Sequence, residues 1–189
     1  MKEQNPILQV KDLTVSFNAF AGKVQAVRGV NFDLNKGETL CIVGESGSGK
    51  SVTNKAIMGI LSKNAVIERG EILYDGMDLT KLTEKQFCQI RGKRIAMVFQ
   101  DPLSALNPIM KVGKQITETL RIHQNLSHEE ARKSAIELMG AVGIPEPEKR
   151  FNQYPFQFSG GMRQRIVIVI ALACNPEILI CDEPTTALD

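Results

Sequence analysis

No apolar run in the 189 residues approaches the ~20 that a helix needs to span a bilayer. The opening MKEQNPILQV carries charge but lacks the apolar stretch of a secretory leader. These two absences point to a soluble chain that belongs in the cytosol. A strong charge excess is missing too. The formal net charge is +2, too small to predict attraction to nucleic acid or to an anionic membrane surface. The four cysteines, Cys41, Cys88, Cys174 and Cys181, form no CxxC pair and lie far apart. That spacing argues against a zinc site or a disulfide framework. No internal repeat or low-complexity tract appears.

What remains is a globular composition. Hydrophobic residues make up 43% and charged residues 23%, and the length suits one domain with a real core. Residues 7–17, ILQVKDLTVSF, alternate as a half-buried strand does. Residues 24–34 alternate again, with Val24, Ala26, Val30, Phe32 and Leu34 on one face, and Gly22 marks the turn between the two. ETLCIVG, residues 38–44, reads as a short apolar strand. The stripe Val52, Ala56, Ile57 and Ile60 predicts a helix. Residues 68–79 read as a hairpin turning at Asp75-Gly76. KRIAMVFQ, residues 93–100, is a strand that ends in a glutamine, and DPLSALNP is a loop.

Residues 111–143 are helical in pattern, with Val112, Ile116 and Leu120 repeating at four and a capping box at Ser127 and Glu130. Pro145 and Pro147 break that pattern. The run RIVIVIALAC, residues 165–174, is β-branched and favours strand by propensity. Set directly after Ser159-Gly160-Gly161, it also suits a buried helix capped by Ser159. Cys41 and Cys181 fall in apolar strand-like runs and are expected to be small buried thiols. His123 and His128 lie in a polar helical stretch and are expected at the solvated surface.

Three segments carry chemistry. GESGSGKS, Gly44 to Ser51, fits G-x-x-x-x-G-K-[ST] in full, with a strand expected before it and a helix after. Glycines there let backbone N–H groups turn inward around phosphate oxygens, and the helix start adds its dipole. Lys50 would reach the β- and γ-phosphates, and the Ser51 hydroxyl would ligate Mg²⁺. ILICDEP places Asp182 at the end of an apolar strand, where a carboxylate can hold the metal directly or through water. Glu183 beside it is the natural general base or water-orienting group. FSGGMRQR, from Phe158 to Arg165, is a second glycine-rich helix start.

In this order the three segments resemble the Walker A, signature and Walker B motifs of an ABC-type ATPase. The whole chain resembles the ATP-binding subunit of a bacterial ABC importer, of the oligopeptide, dipeptide and nickel branch. VFQDPLSALNP and DEPTTALD add to the likeness, as does Met162 in place of the more usual glutamine. The departure YPFQFSGG, where a His-Glu pair is more usual at Phe156-Gln157, has no evident chemical consequence.

The resemblance implies an α/β fold. It has a P-loop core, an N-terminal antiparallel β subdomain and a helical subdomain at about residues 103–160, all within a single domain over 1–189. It decides for a helix over residues 165–174. It implies ATP binding by Gly44, Glu45, Ser46, Gly47, Ser48, Gly49, Lys50 and Ser51. Adenine would stack on Phe17, although Phe20 competes and Phe17 also reads as a core residue. Gln100 would be the Q-loop residue, sensing Mg²⁺ and the attacking water. Ser51, Gln100 and Asp182 would serve the metal, while Glu183 and Gln100 would serve catalysis. Ser159, Gly160 and Gly161 would bind the γ-phosphate of ATP held by a partner subunit, and TTALD would be the D-loop touching that partner.

The implied partners are a second ATPase subunit, integral membrane permeases and, indirectly, an extracytoplasmic substrate-binding protein. The implied location is peripheral, on the cytoplasmic face of the cell membrane. Peptides, nickel and another small solute all stay open as cargo, as does a non-transport ABC ATPase.

The family's domain continues beyond the point where this sequence stops, with a helix, a strand and a loop carrying a histidine that contacts the γ-phosphate. On that basis the core is expected to lack its C-terminal part. The Walker A and Walker B strands are expected to lose a ladder partner, and the 189-residue chain is expected to bind nucleotide at most.

Overall fold

The N-terminal alternation becomes a long hairpin in the computed structural model, which describes residues 6–20, 22–101 and 105–183. Strand β1, Leu8–Ala19, pairs antiparallel with β2, Gly22–Leu34, on one side and with β3, Ala65–Tyr74, on the other. A short β4, Met77–Asp78, follows the turn at Asp75-Gly76, and the sheet order is β2-β1-β3-β4.

The expected shared face of β2 is interrupted. Val27 faces Val15 while Val30 faces Leu13, so Arg28 and Gly29 together oppose Thr14. This is a β-bulge, with Gly29 at φ 65 and its N–H donating to the Thr14 hydroxyl. The extra residue brings Val27 into phase with Val30, and Val27 is buried; Val24, beyond a second register shift, is exposed. Helix α1, Lys50–Ile57, buries Ala56 and Ile57 as the apolar stripe required, whereas Val52 is only half-buried.

Contacts divide the chain into two compact units, Met1–Cys88 and Gln89–Asp189. The first holds the antiparallel sheet, with Val10, Leu13, Val15 and Ile72 packed out of water. Helix α2, Glu84–Ile90, lies at the boundary in sequence. In the second unit β5, Ile95–Val98, pairs in parallel with β6, Ile178–Cys181. Helices α3, Val112–Gln124, α4, His128–Ala141, the short α5, Pro147–Arg150, and α6, Gly160–Leu172, complete it.

Val112, Ile116 and Leu120 of α3 meet Ala131, Ala135 and Met139 of α4 and Ile166 and Val169 of α6 in one core. The predicted capping box is present. The Ser127 hydroxyl accepts from the Glu130 N–H, and Glu130 accepts from the Ser127 N–H at 2.9 Å. Among the described residues no helix is long and apolar enough to cross a membrane.

Two expectations fail here. Residues 38–44 form no strand, and Leu40, Ile42 and Val43 are exposed, Val43 by 84%. An apolar stretch becomes a strand only where another strand takes up its N–H and C=O groups, and this segment joins neither sheet. β6 pairs with β5, in a sheet of two strands among the described residues. The second failure concerns the two cysteines. Cys41 is exposed along with its segment, and Cys181 is exposed on the two-stranded sheet. His128 is at the surface as expected, but His123 is half-buried beside the turn at Gly92.

Candidate functional site

The glycine-rich loop sits in the first unit, directly before α1. Gly47 and Gly49 hold φ values of 81 and 95, in the left-handed region that side chains disfavour. A Cβ on Gly49 would also lie 2.5 Å from the Ala26 carbonyl oxygen of β2, so only glycine fits there. Gly49 is the N-cap of α1, and the Thr53 N–H and hydroxyl both donate to its carbonyl. These constraints hold the turn that aims the first amides of α1 outward. The Lys50 ammonium folds over the loop and donates to the Gly44 and Glu45 carbonyls at 2.6 and 2.8 Å. A cation thus lies at the centre of an exposed ring of glycine and serine backbone, which suits a polyphosphate.

Glu45, Ser46 and Ser48 are exposed along this loop, and Ser51 is half-buried in the first turn of α1. Phe17 lies on β1 between Val24 of β2 and Ala65 of β3 and is half-buried. Phe20, in the β1–β2 turn, is fully exposed.

In the second unit the parallel pair delivers two expected residues to one place. The Asp182 N–H donates to the Val98 carbonyl, which extends the β5–β6 ladder past Cys181. Asp182 is buried, with 9% exposure. Beyond it, Glu183 turns to φ 51, and its Oε2 accepts from Gln100 Nε2 at 2.6 Å. A left-handed glutamate costs about 1–3 kcal/mol and occurs where the surroundings impose it. An amide oxygen such as that of Gln100 can serve a cation or accept from a water. The pair can therefore accept a proton at Glu183 and orient a water at Gln100. Residues 184–189, including TTALD, lie outside the described residues, as do residues 102–104 of DPLSALNP.

The other glycine-rich helix start is held in the same unit. Ser159 caps α6, its hydroxyl accepting from the Met162 N–H at 3.4 Å. Gly160 and Gly161 form the exposed and half-exposed first turn. Phe158, immediately before, is 3% exposed in the core, with the Arg150 guanidinium 5.7 Å above its ring. Arg150, eight residues distant on α5, carried no signal of this contact in the sequence.

The departure at Phe156-Gln157 has a consequence that the sequence reading missed. Gln157 Oε1 accepts from the Tyr154 N–H at 2.8 Å, and the Phe156 ring stacks on Tyr154 with centroids 5.8 Å apart. Both contacts brace the turn that leads into Ser159.

The model of the ABC transporter family matches residues 27–186. The chain is similar to the oligopeptide transport ATP-binding protein OppD of Bacillus subtilis. Identity is 62%, covering 97% of this chain and 51% of that protein. It is also 57% identical to the dipeptide transport ATP-binding protein DppD of Lactococcus lactis, over 98% of this chain and 54% of the relative. The chain spans about half the length of the curated relatives it matches.

Among solved structures it matches the dimeric ATP-binding cassette MJ0796 in a post-hydrolysis state with ADP and Pi. The TM-score is 0.86 at 32% identity, covering 96% of this chain and 76% of the other. With the family model spanning most of its length and the phosphate loop, Gln100–Glu183 pair and capped α6 in place, this chain belongs to the ABC transporter family of ATP-binding proteins.

Proposed function

We propose that this chain is the ATP-binding and ATP-hydrolysing part of an ABC importer for oligopeptides or dipeptides. The observation that carries the reading is the loop from Gly44 to Ser51, with Lys50 drawn across its carbonyls. Its relatives' names, which speak of oligopeptide and dipeptide transport, support the choice of cargo. The loop amides and Lys50 would hold the β- and γ-phosphates, with Phe17 against the adenine. Glu183, oriented by Gln100, would take the proton from the attacking water.

Ser51 would offer a hard oxygen donor of the kind Mg²⁺ prefers, as would Asp182 and Gln100. When bound, that ion would neutralise phosphate charge as the γ-phosphoryl group leaves. Ser159, Gly160 and Gly161 would receive the γ-phosphate of ATP held by a second ATPase subunit, because a capped helix start presents free amides and a positive dipole end. Membrane permeases would be the partners that ATP turnover drives, and contact with them would put the protein at the cytoplasmic face.

Thermal unfolding with and without MgATP, beside Lys50→Ala, tests the nucleotide reading. Ligand at a hundredfold over its Kd stabilises the native state by about 2.7 kcal/mol, and the variant should lose that gain. An equal shift in both proteins would overturn the role given to Lys50. Co-purification with an integral membrane partner tests the transport reading.

A further inference from the structure

We infer that Arg163 is a positioning residue for the Ser159–Gly161 turn. It acts through the segment that precedes the turn and does not itself touch nucleotide. The inference rests on the nucleotide reading of that turn. Arg163 lies one turn into α6 and reaches back past the helix start. Its Nε donates to the Pro155 carbonyl at 2.8 Å, and its Nη2 donates to the Phe156 carbonyl at 3.3 Å. Two donors on one edge of a planar guanidinium thus grip two successive carbonyls. A lysine would have to reach both carbonyls through one nitrogen, without the rigid planar edge that spaces Nε from Nη2.

The placement runs against helix electrostatics. A cation near the N-terminal end of a helix opposes the dipole, and α6 has no acidic residue in its first turn to offset it. What the arginine gains is the pair of carbonyls. The segment it grips is a single 3₁₀ turn, Pro155–Gln157, whose own bonds are few: the Phe158 N–H to Pro155, the Gln157 N–H to Tyr154 and the Tyr154 N–H to the Gln157 side chain. Phe158 anchors the exit of that turn in the core.

Arg163 joins the two flanks of Ser159 directly, one on the helix and one on the turn. The N-cap at φ −65, ψ 164 therefore has both neighbours fixed. The amides of Gly160 and Gly161 inherit that direction. A site that must meet a phosphate needs its groups held within about 0.5 Å.

The test uses Arg163→Met and Arg163→Lys in the full-length subunit within its transport complex. Amide hydrogen exchange over residues 155–162 should quicken at least about fivefold in both variants, while residues 166–172 keep their protection. ATP turnover should fall about tenfold in kcat with the KM for ATP within about twofold, because the substrate is held elsewhere and only its alignment suffers. Unchanged exchange over 155–162, or loss spread evenly along α6, would overturn the clamp. Lys50→Ala separates the two readings. If that variant keeps wild-type turnover, the nucleotide reading and the purpose assigned to the clamp both fall, and exchange still decides whether the clamp exists.

Discussion

His123 shows how one side chain couples local packing to solution conditions. Burial pushes its imidazole below the ordinary value of 6.5, and the nearby Lys93 charge pushes the same way. A Cβ on Gly92 would lie 2.9 Å from its Nε2, so the ring is seated against that turn. A lowered folded-state pKa means the unfolded chain takes up the proton first as pH falls. The stability that the neutral ring contributes is therefore complete above about pH 6.5 and is lost below it. Thermal midpoints measured from about pH 7.5 to 5.5 should fall, and His123→Gln should flatten part of that fall. An identical pH profile in the variant would remove His123 from the account. Strain at Glu183 is a residue-scale feature of a different kind: its backbone sits at φ 51, and its carboxylate accepts a bond from Gln100.

At the scale of elements, α6 carries the clearest lesson about what the sequence conveys. Val167, Ile168, Val169 and Ile170 favour a strand, yet the chain is helical from Gly160 to Leu172. Local propensity spans about 1 kcal/mol and yields to burial. The Ser159 cap made a helix admissible there, and it was the resemblance to the ABC family that decided for it. Helices α3 and α4 were legible from periodicity and the Ser127–Glu130 box, because both signals are local.

Strand 38–44 was misread because apolar composition reports a preference for burial and carries no information on whether a neighbouring strand exists. The β2 bulge was missed for a related reason, since register belongs to a pair of strands. The site divides the same way. Lys50 and Ser159 stand out by spacing, whereas the contact between Gln100 and Glu183 spans 83 residues and belongs to the fold. In α6, Ile166 is fully buried and Leu172 is 39% exposed. Chemical denaturation should show Ile166→Ala costing about 2–5 kcal/mol and Leu172→Ala well under half of that. Equal costs would mean that α6 is not packed through Ile166.

At the scale of the whole molecule, the two compact units divide the proposed chemistry. The phosphate loop belongs to the first, and the carboxylates and the capped α6 belong to the second. The exposed stretch from Leu40 to Val43 has a consequence for handling the protein in solution. It is apolar, uncharged, free of proline and unpaired in any sheet, which is the profile of a segment that seeds intermolecular β-stacking. Light scattering should rise steeply with protein concentration, and Val43→Lys should suppress the rise by placing a gatekeeper charge there. The exposed apolar run that leads into the phosphate loop would then set the concentration at which the chain stays monomeric.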